Sequence, residues 1–156
     1  MNLLDLAYIV GGLAAAPVWM RKKRSGWGER FGRIDGLLNN AGMMRGLQVK
    51  SILDVDMDVW DRVYAVNARG TFLGIRAVYP YMRDQGGGTI VNTSSTAGLV
   101  GSGQGLAAYG ATKGSVRLFT KSVALRYATK GIRVNSIHPG PIQTPMLEAG
   151  FVDPER

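Results

Sequence analysis

The sequence predicts an α/β fold, a doubly wound parallel sheet, and three observations carry that expectation. Short β-branched or apolar runs, such as Thr89-Ile90-Val91-Asn92-Thr93-Ser94, alternate with longer segments of helical period. The runs close on polar or glycine-rich residues, as a buried strand running into a loop does. Connections long enough to hold a helix join parallel strands through right-handed crossovers, and such sheets are covered on both faces.

In chain order, residues 1–27 stand apart as an apolar and then basic segment. Residues 3–20 are almost wholly apolar, interrupted by Asp5, Gly11, Gly12 and Pro17, and Arg21-Lys22-Lys23-Arg24 follows at once. As an apolar helix those eighteen residues would rise ~27 Å, near the lower limit for crossing a bilayer core. The charge follows the apolar run, which is the wrong order for a cleaved secretory signal. It would hold the basic end in the cytoplasm. Two readings stay open: contact with the inner face of the membrane through residues 3–20, or a helix or strand packed in a soluble core.

Residues 28–156 form the second unit. Ile34 to Asn39 is its first strand, closing on Asn39-Asn40-Ala41-Gly42. Asp56 or Asp58 caps a long helix through Trp60, Val63, Val66, Phe72, Ile75 and Val78, which Gly86-Gly87-Gly88 breaks. Thr89 to Ser94 is the second strand, and Gly98 to Gly105 a glycine-rich loop. A second long helix runs from Leu106 to Thr129, stopped by Gly131. Arg133 to Ile137 is the third strand, ending at Pro139-Gly140-Pro141.

Composition narrows the function. With 156 residues, 46% apolar and 19% charged, the chain has the make-up of a globular domain. It has no cysteine, which excludes disulfides and thiolate metal sites, and its one histidine, His138, argues against a histidine metal site. The net charge of +8 is half concentrated in residues 1–33, and the remaining bases are spaced at helical intervals. No basic-aromatic cluster accompanies them, so nucleic acid is not an expected partner.

Tyr109 and Lys113 point to chemistry. Four residues apart on a helix, they share one face. A nearby ammonium favours the phenolate, bringing the phenol toward general acid/base work on a substrate oxygen. In a doubly wound sheet ligands bind beyond the carboxyl ends of the strands. Those ends carry Asn39-Asn40-Ala41-Gly42, Ser94-Ser95 and His138-Pro139-Gly140.

With these motifs in order, the segment from about residue 28 resembles the short-chain dehydrogenase/reductase family. The match covers the Asn-Asn-Ala-Gly turn, the helix asparagine Asn67, the Ser…Tyr-x-x-x-Lys set and the Pro-Gly-x-Ile-x-Thr-Pro segment. The resemblance implies a partial Rossmann-like sheet, about strands 4 to 6 of the family fold with two long helices, truncated at both ends. It implies a catalytic set of Asn67, Ser95, Tyr109 and Lys113. Tyr109 would give or take the hydroxyl proton, and Lys113 would lower its pKa and hold the nicotinamide ribose. Ser95, with Ser94 as the alternative, would bind the substrate oxygen, and Asn67 would anchor a relay water. Asn39, Ala41 and Gly42 would line the adenosine half of an NAD or NADP site. Pro139, Gly140, Ile142 and Thr144 would surround the carboxamide, with His138 shaping that loop.

The glycine fingerprint that holds a pyrophosphate and the residue that selects NAD or NADP have no match in the sequence. Residues 1–33 instead resemble the N-terminal anchor of 3-deoxy-D-manno-octulosonic acid transferases, as a junction of two coding segments would. The leading expectation is a cytoplasmic oxidoreductase moving hydride between a nicotinamide and a small alcohol or ketone. It would be a homo-oligomer through its two long helices. The alternatives are a catalytically incompetent fragment acting only through those helices, or a membrane-anchored glycosyltransferase remnant.

Overall fold

The computed structural model describes residues 33–44, 51–101 and 106–144. The predicted apolar helix within residues 1–27 lies outside them. Among the described residues no helix is long and apolar enough to cross a membrane.

Three parallel strands form the sheet: β1 (Gly36–Asn39), β2 (Gly88–Thr93) and β3 (Ile132–Ile137), in that spatial order. Leu37 pairs with Ile90, and Ile90 with Val134. The first crossover contains α1 (Met57–Tyr64), a π-helical turn (Ala65–Arg69) and α2 (Gly70–Asp84) in one continuous run. Asp56, rather than Asp58, is the cap, its carboxylate accepting from the amides of Asp58 and Val59 at 2.8 and 3.3 Å. The second crossover is α3 (Ala107–Tyr127), preceded by a 3₁₀ turn at Thr96–Gly98. A 3₁₀ turn (Ala128–Lys130) follows α3, and Gly131, at φ 70°, closes it in the left-handed conformation that glycine adopts without strain.

The first strand begins two residues later than Ile34. The Gln85 side chain takes both main-chain groups of Ile34, accepting its N–H at 3.0 Å and donating to its carbonyl at 2.7 Å, in place of a strand partner.

Side chains alternate across the sheet. Leu37, Ile90, Ile132 and Val134 face the helices and bury against Ile75, Val78, Met82 and Val123. Each such side chain contributes roughly 1.5–3 kcal/mol when fully buried. Ring contacts at 5.8 Å (Phe72–Phe119) and 4.2 Å (Tyr79–Tyr127) set α2 and α3 side by side. Both helices therefore cover one face of the sheet. Two right-handed crossovers stepping in the same direction put both helices on the same side. On the other face, among the described residues, Arg133, Asn135 and Ile137 of β3 are exposed.

Candidate active site

The carboxyl ends of the strands and the N-terminal turns of α3 meet at one edge. Glycines decide how closely. A methyl group on Gly110 would lie 2.8 Å from the Ala97 carbonyl oxygen, and one on Gly98 would lie 2.7 Å from the Lys113 carbonyl carbon. Only hydrogen at both positions lets the 96–98 turn lie flat on α3. That contact carries Ser95 to Tyr109, and the Ser95 hydroxyl hydrogen-bonds the phenol. The same hydroxyl accepts the Ala97 amide at 3.2 Å, capping the turn. Ser94 is consumed structurally, its buried hydroxyl donating to the Lys113 carbonyl at 2.8 Å.

Tyr109 is 9% exposed and Lys113 only 4%. The Lys113 ammonium donates to the Thr93 carbonyl at 2.9 Å and lies 5.8 Å from the centre of the Tyr109 ring. Burial pushes the Tyr109 phenol above its ordinary range, with the Ser95 hydrogen bond pulling the other way. Burial also lowers the Lys113 ammonium to about 8. The sequence expectation that Lys113 would lower the tyrosine does not describe this geometry. The ammonium is turned to the strand end, and desolvation of the phenol dominates.

Asn67 sits in the π-helical turn, 1% exposed. Its side-chain oxygen accepts the Met43 amide at 2.8 Å, and its NH2 donates to the Met43 carbonyl and to Thr112 Oγ1, both at 2.9 Å. The side chain is thus a clamp between the loop after β1 and α3. Asn39 donates to Asn92 Oδ1 at 2.8 Å, and Asn92 in turn to Thr120 Oγ1 at 2.9 Å, a polar line across β1, β2 and α3, buried at its Asn92–Thr120 end. Of the residues expected to line the adenosine half, Asn39 is committed to this internal line. Ala41 is exposed, and Gly42 packs at the Lys113 and Asn67 head groups.

On the β3 side, the Pro139 carbonyl accepts the Thr96 amide at 3.0 Å, and the Gly140 Cβ position lies 4.0 Å from the Thr96 methyl. Both residues therefore adjoin Ser95. Ile142 and Thr144 lie further out and are exposed. The structure brings Ser95, Tyr109, Lys113, Asn67, Gly42, Pro139 and Gly140 together at this edge. A cleft of about 230 Å³ opens between residues 97–101 and 106–110, with Leu99, Val100, Leu106 and Gly110 in its lining.

Three residues that the sequence did not single out complete the site. Thr93 offers its main-chain carbonyl to Lys113, which no side-chain pattern announces. Thr112 bonds Asn67 and the Tyr109 carbonyl. Gly110 is the glycine on α3 that receives the turn, and its place next to Tyr109 was the available signal.

A parallel α/β sheet that gathers polar side chains beyond the carboxyl ends of its strands is of the type that binds ligands at that edge. The chain belongs to the short chain dehydrogenase family, whose model matches residues 19–154. A cyclopentanol dehydrogenase of Comamonas sp. is 52% identical over 116 residues, covering 74% of this chain and 45% of that protein. The crystal structure of levodione reductase superposes with a TM-score of 0.77 at 41% identity, over 88% of this chain and 53% of that one. NAD+-bound xylitol dehydrogenase superposes with a TM-score of 0.72 at 37% identity, over 82% and 48%. The chain thus spans about half the length of the relatives it matches. The glycosyltransferase resemblance of residues 1–33 has no counterpart among these relatives.

Proposed function

We propose that the protein is a nicotinamide-dependent oxidoreductase that interconverts a secondary alcohol and a ketone, with Tyr109 as the acid/base. The observation that carries this reading is the Ser95 hydroxyl bonded to the Tyr109 phenol one helical turn from a buried Lys113. The similarity to NAD+-bound and alcohol-oxidising relatives favours it over a purely structural fragment.

The residues at hand fit the nicotinamide end of a dinucleotide. An ammonium has three N–H donors. Among the described residues Lys113 spends one, on the Thr93 carbonyl, so two remain for the hydroxyls of a ribose. Gly42 keeps a methyl group from pressing on that ammonium at 3.2 Å. Pro139 and Gly140 would border the carboxamide, with Ile142 and Thr144 beyond them. The nicotinamide, when bound, takes or delivers the hydride.

The chain's own residues manage the proton. With its pKa raised, Tyr109 is a neutral phenol near pH 7, ready to protonate a forming alkoxide in the reducing direction. In the oxidising direction it must first lose its proton, which a positive charge at Lys113 would favour. Ser95 would hold the substrate oxygen beside the phenol, stabilising the charge that develops there. Asn67 Oδ1 keeps one lone pair after bonding Met43, enough for one relay water.

We also propose self-association through α2 and α3, where Phe72, Leu118 and Leu125 are exposed. Sedimentation of the purified chain would test it, a monomer at tens of micromolar being the contrary result. For the enzymatic reading, titration with NADH and NADPH followed by nicotinamide fluorescence should saturate with one of them. No binding at millimolar cofactor would rule out catalytic competence of this chain.

A further inference from the structure

His138 lies outside the set assigned above, yet its ring bridges β3 and the segment that carries Ser95. Nδ1 is 3.3 Å from the Ser95 carbonyl oxygen, and Nε2 is 2.9 Å from Ser136 Oγ. A carbonyl only accepts, so Nδ1 must bear the proton; in the neutral ring Nε2 is then the acceptor, and Ser136 donates to it. Ser136 and His138 are two residues apart on the extended chain and share the helix-facing side of β3. The serine thereby fixes the ring's orientation as well as its tautomer.

The contact falls where rotation of the backbone would matter most. The Ser95–Thr96 peptide unit is held at both ends by the residues after β3. Its carbonyl accepts from the His138 ring, and its N–H donates to the Pro139 carbonyl at 3.0 Å. Just before it, the Ser94 amide donates to the Ile137 carbonyl at 2.9 Å. Of these three ties to the third strand, the histidine supplies the one made by a side chain. The Ser95 hydroxyl already serves the Ala97 amide and the Tyr109 phenol. A small rotation of the peptide plane would let it keep the first and lose the second.

We infer that His138 is a positioning residue, locking the Ser95–Thr96 peptide so that the Ser95 hydroxyl stays against Tyr109. The assignment rests on the oxidoreductase reading for its consequence in turnover, and its geometry can be tested without turnover. His138 is the only histidine in the chain, so its ring is a unique probe. Nitrogen NMR of the wild-type imidazole should show the Nδ1–H tautomer at neutral charge; a predominant Nε2–H tautomer would overturn the inference.

A double-mutant cycle supplies the second arm. His138→Ala should lower kcat by about tenfold, as loss of orientation at a reacting centre does, with the KM for cofactor unchanged. In a Ser95→Ala background the same substitution should cost less than about twofold, because the group it positions is gone. Equal losses in both backgrounds would mean a merely structural role and refute the inference. His138→Asn, which retains an N–H near the Nδ1 position, should recover most of the loss. Titration of Tyr109, resolved by carbon-labelled tyrosine and assigned with Tyr109→Phe, should move upward in His138→Ala and in Ser95→Ala, and no further in the double variant. If the wild-type chain turned over no alcohol, the oxidoreductase reading would fall while this titration still decided the role of His138.

Discussion

Replacing Lys113 by Met should make the folded protein more stable near pH 7 while removing its affinity for a nicotinamide cofactor. Lys113 is 4% exposed and, among the described residues, makes one hydrogen bond, to the Thr93 carbonyl. Burial shifts its ammonium from 10.5 to about 8. At 1.36 kcal/mol per unit, holding the charged form inside costs on the order of 3 kcal/mol. Losing the bond to Thr93 returns about 1–2 kcal/mol of that. Methionine fills much of the same volume and carries no charge. The net expectation is a gain of about 1–2 kcal/mol.

The gain has a defined pH dependence. The folded pKa lies below the unfolded one, so between about 8 and 10.5 the unfolded chain retains a proton that the folded chain has released. Raising the pH through that window stabilises the wild type and leaves the contribution of position 113 in the variant unchanged. The advantage of Lys113→Met should therefore be full below pH 8 and fade toward pH 10.5. Tyr109 titrates in both proteins, and its contribution largely cancels in the difference. Urea unfolding of both proteins at several pH values between 7 and 10 measures this directly. A variant less stable than wild type by more than about 1 kcal/mol at pH 7, or a difference that does not change with pH, would refute the reasoning.

Four further outcomes follow from the same geometry. Tyr109→Phe should lower turnover by about 10²–10⁴-fold with cofactor binding retained, measured by steady-state kinetics beside fluorescence titration. The rate of alcohol oxidation should climb steadily from pH 7 to pH 10 as the raised phenol gives up its proton, while ketone reduction should not; equal profiles in both directions would contradict the assigned role. Asn67→Ala removes three hydrogen bonds, one of them fully buried, and should cost roughly 2–4 kcal/mol in chemical unfolding, with faster amide exchange at Met43 as the local signature. Gly110→Ala places a methyl 2.8 Å from the Ala97 carbonyl and should destabilise by about 1–3 kcal/mol, and a structure of the variant should show Ser95 drawn away from Tyr109.

How much of this was legible in the sequence depends on what each feature requires. Strand and helix identity follow from local pattern, so β2, β3 and α3 lie within a residue or two of their expected bounds. Strand β1 is shorter because Gln85, distant in sequence, takes the main chain of Ile34. The pairing of Tyr109 with Lys113 is a matter of helical spacing and was readable as such. The Ser94/Ser95 alternative was not, since the two serines differ only in whether they point to the Lys113 carbonyl or to the phenol.

By itself, then, the sequence determined the α/β class, because periodicity is a local property, and through its resemblance the family; the side chains for proton chemistry it named as candidates. Only the tertiary structure decided which face of the sheet the helices cover, since that follows from the direction in which successive crossovers step. It alone decided that burial rather than the lysine charge governs the Tyr109 phenol, because desolvation is a property of the packed surroundings. It also brought His138, just past the third strand, against the Ser95 carbonyl, a contact across 43 residues of chain that no spacing rule contains.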